Sequence, residues 1–198
     1  MRILGIVGSM RKNRTTNTLV ERVLTEIESL DQSARSEILY TADLWIRPCR
    51  VVCSQHCIRH PYSCSIDDEL PDVLEQMIRA DVLILGVPLY FRAPPSQFQA
   101  FAERLISIFF FQETRGRGNS ESPLLGKPCG LIGVAEYSNP QGILEYLHDF
   151  CTVLGMRPVF LDSFPYLGVA GRGDIRKDST FQPLERAKEL AAAITARL

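Results

Sequence analysis

The chain has no charge excess, no long apolar run and no internal repeats. Its 198 residues carry 22 Lys and Arg against 23 Asp and Glu, a formal net charge of −1. So even a balance supplies no field that would draw in nucleic acid or an anionic membrane surface, and neither is expected as a partner. No apolar stretch approaches the roughly 20 residues that cross a bilayer as a helix. Behind Met1 and Arg2 an apolar strand pattern begins at once, without a small-residue cleavage site. This does not read as a secretory signal, so residence in the cytoplasm is the expectation. Low-complexity tracts and linker-like stretches are missing as well, and residues 1–198 are expected to form one domain.

What is present is a regular alternation of strand and helix patterns. Residues 3–7 form an apolar strand, and Leu19, Val20, Val23, Leu24, Ile27 and Leu30 follow at helical spacing. Residues 35–44 read as a second strand. Residues 45–66 break every period and form a cysteine-rich excursion. Asp67-Asp68-Glu69 and Pro71 restart a helix, with Leu70, Val73, Leu74, Met77 and Ile78 inward. Residues 82–87 and 129–134 are continuous apolar runs, as in strands buried on both faces of a parallel sheet. Between them, Pro95 opens a helix that carries Phe98, Phe101, Leu105, Ile106, Phe109 and Phe110, and residues 112–127 read as a polar surface loop. The apolar end of that helix, Phe109–Phe111, reads as core packing or as a subunit interface. Residues 139–155 form a helix closed by Gly155. Residues 158–162 read as a fifth strand, 164–175 as a glycine-containing loop and 183–198 as a last helix. Five such units imply a parallel sheet with helices on both faces. Right-handed crossovers then gather the loops after Val7, Val87 and Ala135 at one edge, where ligands bind.

The first of these loops has its own chemistry. Gly8-Ser9-Met10-Arg11-Lys12-Asn13-Arg14-Thr15-Thr16-Asn17-Thr18 is a strand-to-helix turn rich in hydroxyl and basic groups. A helix N-terminus presents unpaired N–H groups at the positive end of the dipole, which together make an anion site. Thr18 and Glu21 have capping-box spacing, and Thr15 or Thr16 could cap instead. The phosphate of a nucleotide-like cofactor is the expected occupant.

Six cysteines are unevenly placed. Cys129 and Cys151 lie in apolar surroundings and read as core residues. Cys49, Cys53, Cys57 and Cys64 share one short segment, which in a cytosolic chain suggests metal or redox chemistry before disulfides.

The ordered set of motifs resembles the NADPH-dependent FMN reductase family. Gly8-Ser9-x-Arg11-Lys12-Asn13 is similar to its phosphate turn, and Pro88-x-Tyr90 followed by Ser96-Gln97-Phe98 to its flavin-ring loop and next helix. Gly173-Asp174-Ile175 fits the wider family, and Ile66-Asp67-Asp68 after a cysteine segment resembles its iron–sulfur flavoprotein branch. The resemblance implies an α/β, flavodoxin-like, three-layer α/β/α sandwich with a five-stranded parallel sheet of order 2-1-3-4-5. It implies FMN as cofactor, with Ser9, Arg11, Asn13, Thr15, Thr16 and Asn17 holding the phosphate. Pro88, Leu89, Tyr90 and Phe91 would flank the isoalloxazine, and Glu136, Tyr137 and Ser138 would meet its other edge. No catalytic side chain is implied, because the flavin performs the chemistry and the protein orients and tunes it. NAD(P)H would be the electron donor, and a quinone, flavin, azo compound or redox protein the acceptor. The family also implies a homodimer or homotetramer. Gln99, Glu103, Arg14 and Thr15 depart from its common pattern.

The spacing Cys49-x3-Cys53-x3-Cys57-x6-Cys64 is one residue longer at each of its first two gaps than the iron–sulfur branch usually shows. Three readings stay open: a [4Fe-4S] cluster on all four thiolates, a redox-active or vestigial segment beside FMN, and a mixed zinc site in which His56 and His60 join Cys53, Cys57 or Cys64. Two rivals to the reductase also stand: a non-enzymatic electron carrier or redox sensor, and a zinc-stabilised nucleotide-binding protein. Arg115 and Arg117 are solvated loop residues or partners of a 2′-phosphate.

Overall fold

β1, Arg2–Val7, is the strand from which the sheet grows. In the computed structural model, which describes residues 1–50, 54–60, 62–108 and 122–198, it lies between β2 (Arg35–Tyr40) and β3 (Val82–Pro88). β4 (Pro128–Ala135) follows β3, and β5 (Arg157–Pro158) follows β4, every pairing being parallel. The order β2-β1-β3-β4-β5 is that of the flavodoxin-like fold.

Two helix layers cover the sheet. Alternation along β1 sends Ile3 and Val7 to one face and Leu4 and Ile6 to the other. On the first face α1 (Thr15–Leu30) buries Leu19, Val20, Val23 and Ile27 beside Leu190 and Ile194 of α6 (Pro183–Thr195). On the other, α3 (Leu70–Arg79), α4 (Ser96–Arg104) and α5 (Gln141–Val153) bring Val73, Met77, Phe98, Phe101, Leu144 and Leu147 onto Leu83 and Leu85. Gly86 permits the close approach of α1, since a Cβ there would sit 2.4 Å from Val20 Cγ2. The short α2, Ser54–Arg59, lies in the cysteine-rich segment. Cys129 and Cys151 are core residues, as expected. Leu30 and Ile78, expected inward, are exposed at the edges of their helices' apolar faces. Phe109, Phe110 and Phe111, with Arg115 and Arg117, lie outside the described residues. Among the described residues no helix is long and apolar enough to cross a membrane.

Two strands differ from expectation. β2 stops at Tyr40: Thr41 N–H makes the last bond to β1, to Val7 O at 3.0 Å, and the chain then turns through residues 41–43, with Asp43 N–H bonding Tyr40 O at 3.0 Å. The fifth strand position is shared by two short pieces. β5 pairs with Pro128 and Cys129, whereas β6 (Val169–Arg172) pairs with Ile132–Ala135 further along the same strand. Residues 159–168 leave the sheet between them: Val159 N–H still reaches Cys129 O at 2.9 Å, but Leu161 N–H bonds Tyr166 O at 2.8 Å instead of β4. Return depends on Gly168, whose φ is +152° and where a Cβ would stand 2.2 Å from Leu131 O. The glycines that signalled a loop therefore introduce a strand, as glycine does where backbones approach closely.

Candidate functional site

The carboxyl ends of β1, β3 and β4 are held in line by Gly8 N–H to Gly86 O at 2.8 Å and Leu89 N–H to Val134 O at 2.7 Å. Beyond them lies a cleft of about 320 Å³. The turn after β1 contributes Ser9, Arg11, Arg14, Thr15 and Thr16 to its lining, and the end of β3 contributes Pro88, Leu89, Tyr90 and Phe91. Val134, Ala135, Glu136, Tyr137 and Ser138 complete it from β4. The three loops expected to meet do meet, and eleven of the thirteen expected cofactor residues line the cleft.

Asn13 and Asn17 are the exceptions. Asn13 is exposed and takes φ +56°, making the left-handed step that asparagine tolerates. Asn17 is buried, and its Oδ1 accepts the Tyr40 hydroxyl at 2.7 Å. Arg14, Val134 and Ala135 line the cleft without having been expected there. Arg14 had a signal, as a departure within the phosphate turn. The strand-end pair could have been found by extending the carboxyl-end rule back to the last buried residues of β4.

At the α1 end the chemistry is donor-rich. Ser9 is buried, and its Oγ accepts Arg11 N–H at 3.2 Å, which folds the turn back on itself. The expected side-chain caps do not form: Arg14 is the N-cap, in extended conformation, and no side chain bonds the helix start. Thr18 N–H is the first to find a helix carbonyl, that of Arg14 at 3.0 Å. The preceding N–H groups are left for an outside acceptor, and no acidic residue occupies the first turn. Lys12 is drawn away to Asp43, Nζ to Oδ2 at 2.5 Å, and lies over the Tyr40 ring. Arg11 and Arg14 have no ion-pair partner among the described residues.

The other end is aromatic. Tyr90 and Ala93 exchange both backbone hydrogen bonds, 2.8 and 2.9 Å, around Phe91 at φ +50° and Arg92 at φ +65°. Two successive positive φ angles mark a type I′ turn, which usually uses Asn-Gly. Phe91 is 104 % exposed and Tyr137 93 %, so two large rings stand uncovered at the cleft mouth. Glu136 is the one carboxylate among the lining residues. Donors at one end and bare aromatic faces at the other suit a flat ring carried on a phosphate-bearing chain. FMN fits that description.

The cysteine segment lies apart from this lining. Of the four expected ligands, Cys57 is buried on α2, Cys49 and Cys64 are half-buried off any helix, and Cys53 lies outside the described residues. His56 stacks on His60 at 4.3 Å between centroids, and its Nε2 lies 3.3 Å from Ser63 Oγ. Among the described residues no three His, Cys, Asp or Glu side chains gather as a metal site. The segment is fastened to the core through the side chains of Asp68 and Arg104, both buried. Arg104 donates to Asp68 Oδ2 at 2.5 Å, to Oδ1 at 3.2 Å and to Arg47 O at 2.7 Å, and the Cys64 side chain is a further hydrogen-bond partner of its guanidinium.

Known proteins resemble this chain in sequence and in fold. The chain is 31 % identical over 156 residues to an iron–sulfur flavoprotein of Methanocaldococcus jannaschii, covering 79 % of this chain and 74 % of that one. It is 26 % identical over 125 residues to an FMN-dependent NADH:quinone oxidoreductase of Bradyrhizobium sp., covering 61 % and 58 %. A solved apo NADH:FMN oxidoreductase shares the fold, with a TM-score of 0.66 and 18 % identity over 100 % of this chain and 89 % of the other. The profile of one family runs through β1, β3 and β4 and every loop of the cleft, matching residues 1–165, and the chain belongs to that family, the NADPH-dependent FMN reductases.

Proposed function

We propose that the protein is an FMN-dependent oxidoreductase that takes electrons from NAD(P)H and passes them to a small acceptor such as a quinone, flavin or azo compound, or to a redox protein. The observation that carries this reading is the cleft itself, with a helix N-terminus free of side-chain caps and two guanidinium groups without an ion-pair partner among the described residues at one end, and two bare aromatic rings at the other. Family membership supports FMN, and the names of the family and of the Bradyrhizobium relative support a nicotinamide donor.

Bound FMN supplies the redox chemistry, accepting electrons from a donor and releasing them to an acceptor. This chain's residues hold and orient it. Ser9, Thr15 and Thr16 offer hydroxyls and N–H groups to the phosphate, and Arg11 and Arg14 offset its charge. Each charge-assisted hydrogen bond of this kind contributes about 1.5–3 kcal/mol. Pro88, Leu89 and Tyr90 form one wall for the ring, and Val134 and Ala135 the buried floor. Phe91 and Tyr137 exclude water from its exposed edge. The described cysteines do not converge, so no electron path through them forms part of the proposal. Residence in the cytoplasm and assembly as a homodimer or homotetramer belong to the same reading, and the apolar groove along Ile106, Tyr146, Phe150 and Val153 supports the assembly.

Anaerobic mixing of the FMN-loaded protein with NADPH or NADH tests the proposal. Loss of the visible flavin absorbance, faster than for free FMN, is expected with at least one donor. A protein that binds no FMN overturns the cofactor assignment. One that binds FMN but leaves it oxidised overturns the reductase and favours the electron carrier.

A further inference from the structure

Arg92 follows Phe91 in the type I′ turn, at φ +65°. Glycine is the residue that such a position favours, and any side chain there costs free energy. The turn's backbone at this position is nevertheless fixed, because the Tyr90 and Ala93 hydrogen bonds close it from both sides. Its side chain lines a second cleft of about 450 Å³, which shares Leu89 and Ser138 with the cofactor cleft and so continues it.

The opposite wall is the start of α5. Asn139 Oδ1 accepts Gln141 N–H at 2.9 Å, so the first N–H of this helix is already satisfied. A Cβ on Gly142 would meet nothing within 4 Å, which leaves the wall open. Glu145 is the one carboxylate lining this cleft, and it is engaged by Gln141 Nε2 at 3.2 Å. Arg92 is the one cation lining it and has no ion-pair partner among the described residues.

We infer that this second cleft seats an anionic arm of the second substrate, anchored by Arg92, while the substrate's reacting ring lies in the adjoining cofactor cleft. The inference rests on the reductase reading above. The anion is a phosphate of the nicotinamide dinucleotide or an acidic substituent of the acceptor. Both present oxygens to a guanidinium, which binds them in a forked geometry.

Arg92→Gly is the test variant, because glycine keeps or eases the turn while deleting the charge. Steady-state KM is measured on the FMN-loaded protein for NADPH, NADH, a neutral naphthoquinone and a sulfonated naphthoquinone. A rise of about tenfold or more is expected for the dinucleotides or for the sulfonated quinone, with the neutral quinone within about twofold. Arg92→Lys should recover part of the loss. A rise for NADPH alone identifies the 2′-phosphate, a rise for both dinucleotides the phosphates they share, and a rise for the sulfonated quinone the acceptor. Unchanged KM for every anionic substrate, or a parallel rise for the neutral quinone, overturns the inference. FMN affinity and melting temperature are measured on the same variant. Neither should fall, whereas failure of the wild-type protein to bind FMN would overturn the reductase reading instead.

Discussion

Asp68 receives the Arg104 guanidinium on both carboxylate oxygens, at 2.5 and 3.2 Å, in a site where neither side chain is more than 1 % exposed. Asp68 also accepts Arg47 N–H at 3.0 Å and Leu70 N–H at 3.2 Å. One buried pair thus ties both ends of the cysteine-rich segment and the start of α3 to α4. Removing one partner of such a pair leaves a buried charge uncompensated. Asp68→Ala is predicted to destabilise the fold by about 3–5 kcal/mol in urea unfolding.

The same pair sets an acid limit. Burial alone would raise the Asp68 carboxyl, but hydrogen bonds from Arg104, Arg47 and Leu70 outweigh it and hold the group below its ordinary value of 3.8. A depressed native value stabilises the fold at pH above 3.8, and that contribution is lost as pH falls through the native value. Unfolding free energy of the wild type should therefore drop below about pH 4, more steeply than that of Asp68→Asn.

Arg11→Ala is predicted to weaken FMN binding by about 10- to 100-fold, the loss of one charge-assisted contact. The FMN dissociation constant measures it. Unchanged affinity would remove Arg11 from the phosphate site.

Asn17 separates support from contact. Its Oδ1 is occupied by Tyr40, so Tyr40→Phe should cost about 1 kcal/mol of stability in urea unfolding and leave FMN affinity within about threefold of wild type. A larger loss of affinity would mean that the Tyr40 bond positions the α1 start for its ligand.

Gly168→Ala is predicted to destabilise the protein by more than about 1 kcal/mol, because the position combines φ +152° with a 2.2 Å approach to Leu131 O. Thermal unfolding should show a lowered midpoint.

These elements also show what the sequence made legible. β3 and β4 were plain because strands buried on both faces are uninterrupted apolar runs. The cleft followed from them, since parallel order dictates which loops meet, and Ser9, Tyr90 and Tyr137 all stand in its lining. β6 was hidden, because Gly168, Gly171 and Gly173 give the local signal of a loop while pairing with β4 depends on a distant strand. Asn17 was implied as a phosphate ligand by the family resemblance, and that resemblance does not show that its Oδ1 accepts the hydroxyl of Tyr40, 23 positions away. The Asp68–Arg104 pair was invisible for the same reason: its partners lie 36 positions apart, and no local period links them. In the cysteine segment the helix covers only Ser54–Arg59, so Cys49 and Cys64 fall outside it and no single helical period sets where these thiols lie.

The most direct test of the cofactor cleft is a fluorescence titration of flavin-free protein with FMN, run beside Arg11→Ala. Stoichiometric quenching at one FMN per chain is predicted for the wild type, with a clearly weaker curve for the variant. Flavin fluorescence that stays at its free value in the presence of excess wild-type protein would contradict the assignment of this cleft to FMN.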